Sequence, residues 1–261
     1  MTSRSGCLST ADGEIQRALV DDEVQVLYRP VASSALDGVA GLRSEVRWRR
    51  PDHDVLASDR VIELATRSGD DAVLDAHVLA DAARRLDEWA HTSDGTVVWA
   101  SLIGASGLDA LADAVVEAGR SCAAGRHRLG VRWPADAIVD ADPQVLGAIR
   151  RAGVGIMAGD VTPGHPILDR LEDGAVDVVQ LDAALVGAVT TSPAAVDETA
   201  EIIRMVARHG VPAVGAGVDH RDVLEIVERL GIDQVEGIVA GRAEPPLIVG
   251  MLLHQVLSHR P

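Results

Sequence analysis

Lysine, asparagine and phenylalanine are absent from this chain of 261 residues, and cysteine occurs only twice. Without lysine there is no Schiff-base nucleophile and no phosphate-cradling P-loop of the usual kind. All 24 basic residues are therefore arginine. That bias, with abundant alanine, valine and glycine, reads as the codon usage of a GC-rich bacterium rather than as folding physics. Two cysteines, Cys7 and Cys122, are too few for a disulfide scaffold and fit a reducing cytoplasm. No uncharged apolar run reaches the ~18 residues of a membrane span, and the opening Met1–Thr10 stretch lacks the apolar segment of a secretory signal. Positive charge is scarce as well: 40 acidic residues against 24 arginines leave a net charge of −16. A nucleic-acid backbone wants a basic face, so DNA and RNA are excluded as expected partners, and so is a membrane.

What is present is apolar material in quantity, 47% of the chain, enough to bury a substantial core. Residues 1–12 are small and polar and are expected to be a flexible tail. A short helix over Glu14–Val20 leads into alternating strands over Val24–Val31 and Val39–Trp48. Helical patterns follow over Ser58–Ser68, with Ser58 as N-cap, and over Asp71–Ala90. Six more apolar, β-branched runs come next: Thr96–Ile103, Arg128–Trp133, Val154–Ala158, Val176–Leu181, Val211–Gly215 and Gln234–Val239. They alternate with helical patterns near Leu108–Ala118, Pro143–Ala152, Pro166–Asp173, Pro193–His209, Arg221–Leu230 and Pro245–Ser258. Eight strands alternating with helices predict parallel pairing and a (β/α)8 barrel over residues 13–261, with no linker dividing it.

In such barrels the catalytic groups project from the C-terminal ends of the strands. The run Gly41-Leu-Arg-Ser-Glu-Val-Arg-Trp-Arg-Arg-Pro51, continued by Asp54–Gly69, resembles the EAL family of cyclic di-GMP phosphodiesterases. That family reads G-A-E-A-L-L-R-W-R-H-P followed by F-I-P-L-A-E-x-T-G. The resemblance continues strand by strand. Tyr28-Arg29-Pro30 matches Y-Q-P, and Ser101 falls at the Asn of S-V-N-L-S. Arg128–Ala135 matches R-L-E-L-E-I-T-E, Ile156–Gly164 matches I-A-L-D-D-F-G-T-G, and Val179-Gln-Leu-Asp182 matches L-K-I-D. Ala213–Val218 matches V-V-A-E-G-V, and Glu236-Gly237 with Arg242 matches the Q-G and S-R of the last strand. The framework residues Tyr28, Pro30, Trp48, Pro51, Gly69, Gly164, Asp182, Gly217, Gly237 and Arg242 agree in type and order. The resemblance therefore implies a TIM-like barrel of the EAL type.

It implies something different for chemistry. Arg43 and Arg132 stand at metal-binding glutamates, Gly159 at the first Asp of D-D, Gln180 at the catalytic lysine, and Ala135 and Ala216 at later glutamates. Across the compared positions the family carries five acids and one lysine, a net of −4. Here Arg29, Arg43 and Arg132 against Asp160 and Glu236 give +1. Hard divalent cations want clustered anionic oxygens, and an arginine in place of a ligand repels the ion. No catalytic residue, metal or cofactor is expected, and the chain reads as a pseudo-enzyme: a regulatory or protein-interaction module of bacterial cyclic di-GMP signalling, acting as a homodimer or on a protein partner. The dimer is expected to ignore ligand state, because Pro163 and Pro166 stiffen the loop over Gly159–Pro166. A second reading is a metal-independent receptor for cyclic di-GMP or another anion, with candidate ligand-binding residues Arg29, Arg43, Arg47, Arg132, Asp160 and Glu236. Arginine offers a planar fork for phosphate, and the family arginine at Arg47 contacts the ligand's phosphate. The blander reading of the same residues is that Arg29, Arg43 and Arg132 pair with Asp160, Glu236 and Glu45 and close the site. A phosphodiesterase that has recruited Asp160 and Glu236 is a third. The nine histidines show no metal-ligand spacing, Gly153–Gly159 is no dinucleotide fingerprint, and Trp89 and Trp99 read as core.

Overall fold

A computed structural model describes residues 13–52, 54–90, 96–104, 107–123 and 128–258. The expected N-terminal tail, Cys7, and His53, His91, His127 and His259 lie outside them. The elements in chain order are α1 (Glu14–Val20), β1 (Val24–Ser33), β2 (Val39–Arg49), β3 (Val55–Leu56), α2 (Ser58–Ser68), α3 (Asp71–Trp89), β4 (Val97–Ser101) and α4 (Asp109–Ser121). They continue with β5 (Leu129–Pro134), α5 (Ala135–Val139), α6 (Pro143–Arg151), β6 (Gly155–Val161), a 3-10 turn (Pro166–Arg170), β7 (Val178–Leu181) and α7 (Ala183–Gly187). Then come α8 (Pro193–Arg208), β8 (Ala213–Gly215), α9 (Arg221–Leu230), β9 (Gln234–Val235) and α10 (Pro246–Ser258).

The sheet runs β1-β9-β8-β7-β6-β5-β4-β2 and closes on itself through β1–β2, with β3 as an outer flap on β2. The eight-stranded barrel is as expected; its pairing is not wholly parallel. β1 runs antiparallel to both β2 and β9, while the neighbours from β2 through β4 to β9 are parallel. The physical reason is the connection. Five residues join β1 to β2, enough for a hairpin and too few for the crossover helix that a parallel pair requires.

Helix starts follow local chemistry. Asp142, Ser192 and Asp182 accept from backbone N–H groups of the first turns of α6, α8 and α7, and Pro143 and Pro193 sit at the first helical positions. Ser58 is a correction to the sequence reading: Ala57 is the cap position, and the Ser58 hydroxyl accepts from the Val46 N–H of β2 at 3.2 Å. The Pro166–Asp173 pattern forms a 3-10 turn over Pro166–Arg170, with His165 Nδ1 accepting from Ile167 N–H.

Residues alternate sides along β1 and β2. Val24, Val26, Tyr28, Leu42, Val46 and Trp48 join the core between sheet and helices, where the Tyr28 hydroxyl donates to Asp81 at 2.7 Å. Inside the barrel a smaller cluster of Val31, Trp99, Met157, Val178 and Val214 fills the floor. Trp99 packs into the room left by the glycines of other barrel strands: a Cβ at Gly130 would come within 2.2 Å of its ring. All four tryptophans are buried, as expected for Trp89 and Trp99. No described helix is long and apolar enough to cross a membrane.

Candidate functional site

Above Trp99 the strands open into a cavity of about 660 Å³, at the C-terminal ends of the parallel strands where barrel chemistry is normally sited. Six of its polar side chains come from strands or from the residue that follows one. Arg29 is on β1, Arg43 and Glu45 on β2, Arg132 on β5, Gln180 on β7, and Glu236 directly after β9. Asp160 joins them from β6 in an unusual backbone state. Its φ of 58° is left-handed, and the β6–β7 register shifts between Ala158 and Val161, so a bulge lifts this carboxylate onto the rim.

These side chains form one continuous hydrogen-bonded chain across the mouth. Arg29 Nε and Nη2 donate to the two oxygens of Glu45 at 2.6 and 3.3 Å. Arg43 Nη2 donates to Glu45 at 3.0 Å and its Nε to Glu236 at 2.6 Å. The other oxygen of Glu236 accepts from Gln180 Nε2 at 2.8 Å, and Gln180 Oε1 accepts from Arg132 Nε at 2.9 Å. Arg132 Nη2 then meets Asp160 at 2.5 Å.

The register explains why Glu45 is central. Arg29 and Arg43 are direct cross-strand partners in the β1–β2 hairpin, a like-charge pair that destabilises a sheet unless something neutralises it. Glu45, two residues further along the same face of β2, binds both. Glu45 therefore belongs in the charge count, which becomes three guanidinium groups against three carboxylates, net zero rather than +1.

The electrostatics match this closure. Burial alone would lower the basicity of Arg43, but Glu236 and Glu45 outweigh it and hold the guanidinium even more firmly protonated. For Glu45 burial acts upward, and the hydrogen bond from Arg29 with the charge of Arg43 outweighs it, leaving the carboxyl below its ordinary range. Asp75 of α3, also lining the cavity, has no arginine. Burial lifts its carboxyl to about 6, against the pull of backbone N–H donors from Ile103 and Gly104 at 2.7 and 2.9 Å.

Steric fit ties Arg132 to Gly159. A Cβ at Gly159 would lie 2.2 Å from the Arg132 guanidinium carbon, so the arginine occupies the room a side chain there would need. A divalent cation does not fit what remains. Among the described residues no group of three His, Cys, Asp or Glu side chains could hold a metal, and each carboxylate of the network is already engaged by an arginine.

Of the six candidate ligand-binding residues, Arg29, Arg43, Arg132, Asp160 and Glu236 come together. Arg47 does not join the network. It sits higher on β2, half-buried, lining the cavity and a second pocket, and makes no ion pair or side-chain hydrogen bond with any described residue. Sequence reasoning left Gln180 and Ser101 as lost functional positions. Gln180 instead bridges Arg132 to Glu236, and the Ser101 hydroxyl accepts a long 3.4 Å hydrogen bond from Arg43. Only the period of two along Arg43, Glu45, Arg47 and Arg49 signalled in advance that Glu45 shares their face.

The family model of the EAL domain matches residues 12–243. The chain belongs to the EAL domain family. Among relatives of this EAL domain is the cyclic di-GMP phosphodiesterase NbdA of Pseudomonas aeruginosa, 27% identical over 241 residues, covering 89% of this chain and 30% of NbdA. The oxygen sensor protein DosP of Escherichia coli is 22% identical over 88% of this chain and 30% of its own length. The chain thus spans about a third of the length of these curated relatives. Among solved structures, the PaMucR phosphodiesterase in its c-di-GMP complex superposes with a TM-score of 0.79 at 19% identity, covering 90% of this chain and 98% of that one. The FimX EAL domain of P. aeruginosa bound to c-di-GMP gives 0.77 at 14% identity, over 90% and 97% of the two chains. At these identities the superpositions establish the fold, a (β/α)8 barrel of the EAL type.

Proposed function

We propose that this EAL domain is non-catalytic and serves cyclic di-GMP signalling as a regulatory or protein-interaction module in the bacterial cytoplasm. One observation carries the reading: Arg43 and Arg132, which the sequence resemblance sets at the family's metal-binding glutamates, each hydrogen-bond into the network that engages Glu45, Glu236 and Asp160. Hydrolysis of a phosphodiester by the two-metal route needs cations held between the attacking and leaving oxygens. Guanidinium groups supply positive charge at fixed positions but generate no metal-bound hydroxide. Gln180, at the family's lysine, is a neutral spacer in the same network. A protein–protein role is supported by the outer face of α10, which leaves Leu247, Ile248, Met251 and Leu252 exposed, an uncommon grouping on a soluble surface. The deciding assay incubates the purified chain with cyclic di-GMP and Mg²⁺ or Mn²⁺. No linear dinucleotide above a protein-free blank is expected; metal-dependent product that disappears in Asp160→Ala would reverse the reading.

A second reading, a metal-independent receptor for cyclic di-GMP, is favoured by the guanidinium of Arg47 at the cavity rim, which has no ion pair or side-chain hydrogen bond with any described residue. Calorimetry with cyclic di-GMP, with and without magnesium, tests it. Heat of binding that is insensitive to magnesium and lost in Arg47→Gln supports the receptor; no heat in either condition removes it.

A further inference from the structure

Helix α10 is apolar on both sides. Its inner face is fixed to the barrel: Val249 and Leu253 join the core, and Gly250 lies against Trp89, where a Cβ would stand 3.2 Å from the indole nitrogen. Its outer face carries Leu247, Ile248, Met251 and Leu252, all exposed, Leu247 at 76%. Their spacing of i, i+1, i+4 and i+5 makes one continuous stripe along the helix. A helix that is apolar all round is normally covered on every side. α10 begins after the family match ends at residue 243, so the family pattern does not dictate what covers this stripe.

Charge selects the occupant. From Pro245 to Ser258 the chain has no Asp, Glu or Arg, whereas α2, α3, α4, α6, α8 and α9 all carry charged residues. At a net charge of −16, two copies of this molecule repel each other wherever their charged faces meet. The uncharged stripe is where that repulsion is least and where most apolar surface leaves water on contact. A basic partner would be drawn to the acidic faces instead. A like-charged partner is confined to the uncharged helix, and the like-charged molecule always present at equal concentration is a second copy of the chain.

We propose that α10 is the seam of a homodimer, packed antiparallel against α10 of a second copy about a two-fold axis that passes between Ile248 and Met251. In such an isologous contact each residue meets its counterpart in reverse order, so Leu247 faces the partner's Leu252 and Ile248 faces the partner's Met251. Four side chains per copy make a small core beside the roughly 800 Å² per partner of a standard interface, so the pair dissociates on dilution. The proposal rests on the reading of this domain as an interaction module and fixes which surface interacts and with what.

The test is sedimentation equilibrium of the intact chain over a concentration series. Between about 0.05 and about 0.5 M salt the monomer–dimer equilibrium is expected to tighten, because screening removes the repulsion between two acidic bodies and leaves the apolar contact in place. Leu247→Glu and Leu252→Arg each put an unpaired charge into the seam and should each raise the dissociation constant roughly tenfold or more. An equimolar mixture of the two variants should recover a mixed dimer, since the introduced carboxylate then faces the introduced guanidinium. Both positions are exposed in the single copy, so at concentrations where the parent is monomeric the variants should share its melting temperature. A monomer at every concentration and both salts overturns the proposal, as does a dimer that salt weakens or one that both variants leave intact. A mixture that stays monomeric overturns the antiparallel seam. Hydrolysis of cyclic di-GMP is assayed separately: its appearance would refute the non-catalytic reading and leave the seam standing.

Discussion

Arg43 is the side chain on which the mouth network turns, because it alone contacts two carboxylates from different parts of the barrel. Glu236 has a side chain only 5% exposed, so removing its cation strands a buried charge. Arg43→Met is expected to cost about 3–5 kcal/mol, and Arg43→Met with Glu236→Met to recover more than half of that, measured by urea unfolding. A double variant no more stable than the single one would show that the pair is not coupled. Gly159 and Arg132 form a second coupled pair. Gly159→Ala should destabilise by about 1–3 kcal/mol through displacement of the guanidinium, and by almost nothing in an Arg132→Ala background. Asp75 responds to pH with the opposite sign from Glu45. Its folded carboxyl, near 6, lies above the ordinary 3.8, so the folded state holds the proton more tightly. Its contribution is complete below 3.8 and lost as pH rises through 6, about 3 kcal/mol in all. For Glu45, held low by Arg29 and Arg43, the contribution is present above its ordinary value and lost on acidification. Stability profiles of the parent and Asp75→Asn should therefore diverge between pH 4 and 6, the parent gaining relative to the variant as pH falls.

At the level of elements, the glycine-bearing strands are built around one ring. Trp99 of β4 needs the missing side chain of Gly130 on the next strand, where the gap from a Cβ to the buried indole is far below contact distance. Gly130→Ala should lower stability by about 1–3 kcal/mol or more, while Gly187→Ala, whose Cβ meets nothing within 4 Å, should not. Equal effects at both positions would mean the tight packing around Trp99 is relaxed in solution. The eight barrel strands were legible from their apolar, β-branched runs. The elements that sequence reading did not resolve, β3, α5 and α7, are two to five residues long, too short for a period to register. The direction of β1 was legible in principle from the short β1–β2 connection and was masked by the alternation of strands and helices elsewhere. The candidate arginines were visible as departures from the family pattern, and the three carboxylates that pair with them were named as a set, but not which arginine takes which acid. Which acid each arginine takes depends on cross-strand register and on the bulge at Asp160, and neither is written in local sequence.

For the whole molecule, the proposed role as an interaction module predicts association. Light scattering across a concentration series should give the mass of a homodimer, unchanged by magnesium or cyclic di-GMP, and Met251→Glu on the exposed face of α10 should shift it toward the monomer. A monomer at every concentration would reject the dimer. A ligand-dependent mass would favour the receptor reading instead.

The placement of the aromatic residues also governs how such a molecule is observed. Trp48, Trp89, Trp99 and Trp133 are all buried, and none lines the barrel-mouth cavity. Their ultraviolet emission should be blue-shifted in the native protein and move to the red as a unit on denaturation, so it makes a faithful clock of unfolding. The same light carries no message from the rim: a ligand can settle on Arg47 while every indole stays dark to the event, and a flat fluorescence titration of this protein says nothing about whether anything has bound.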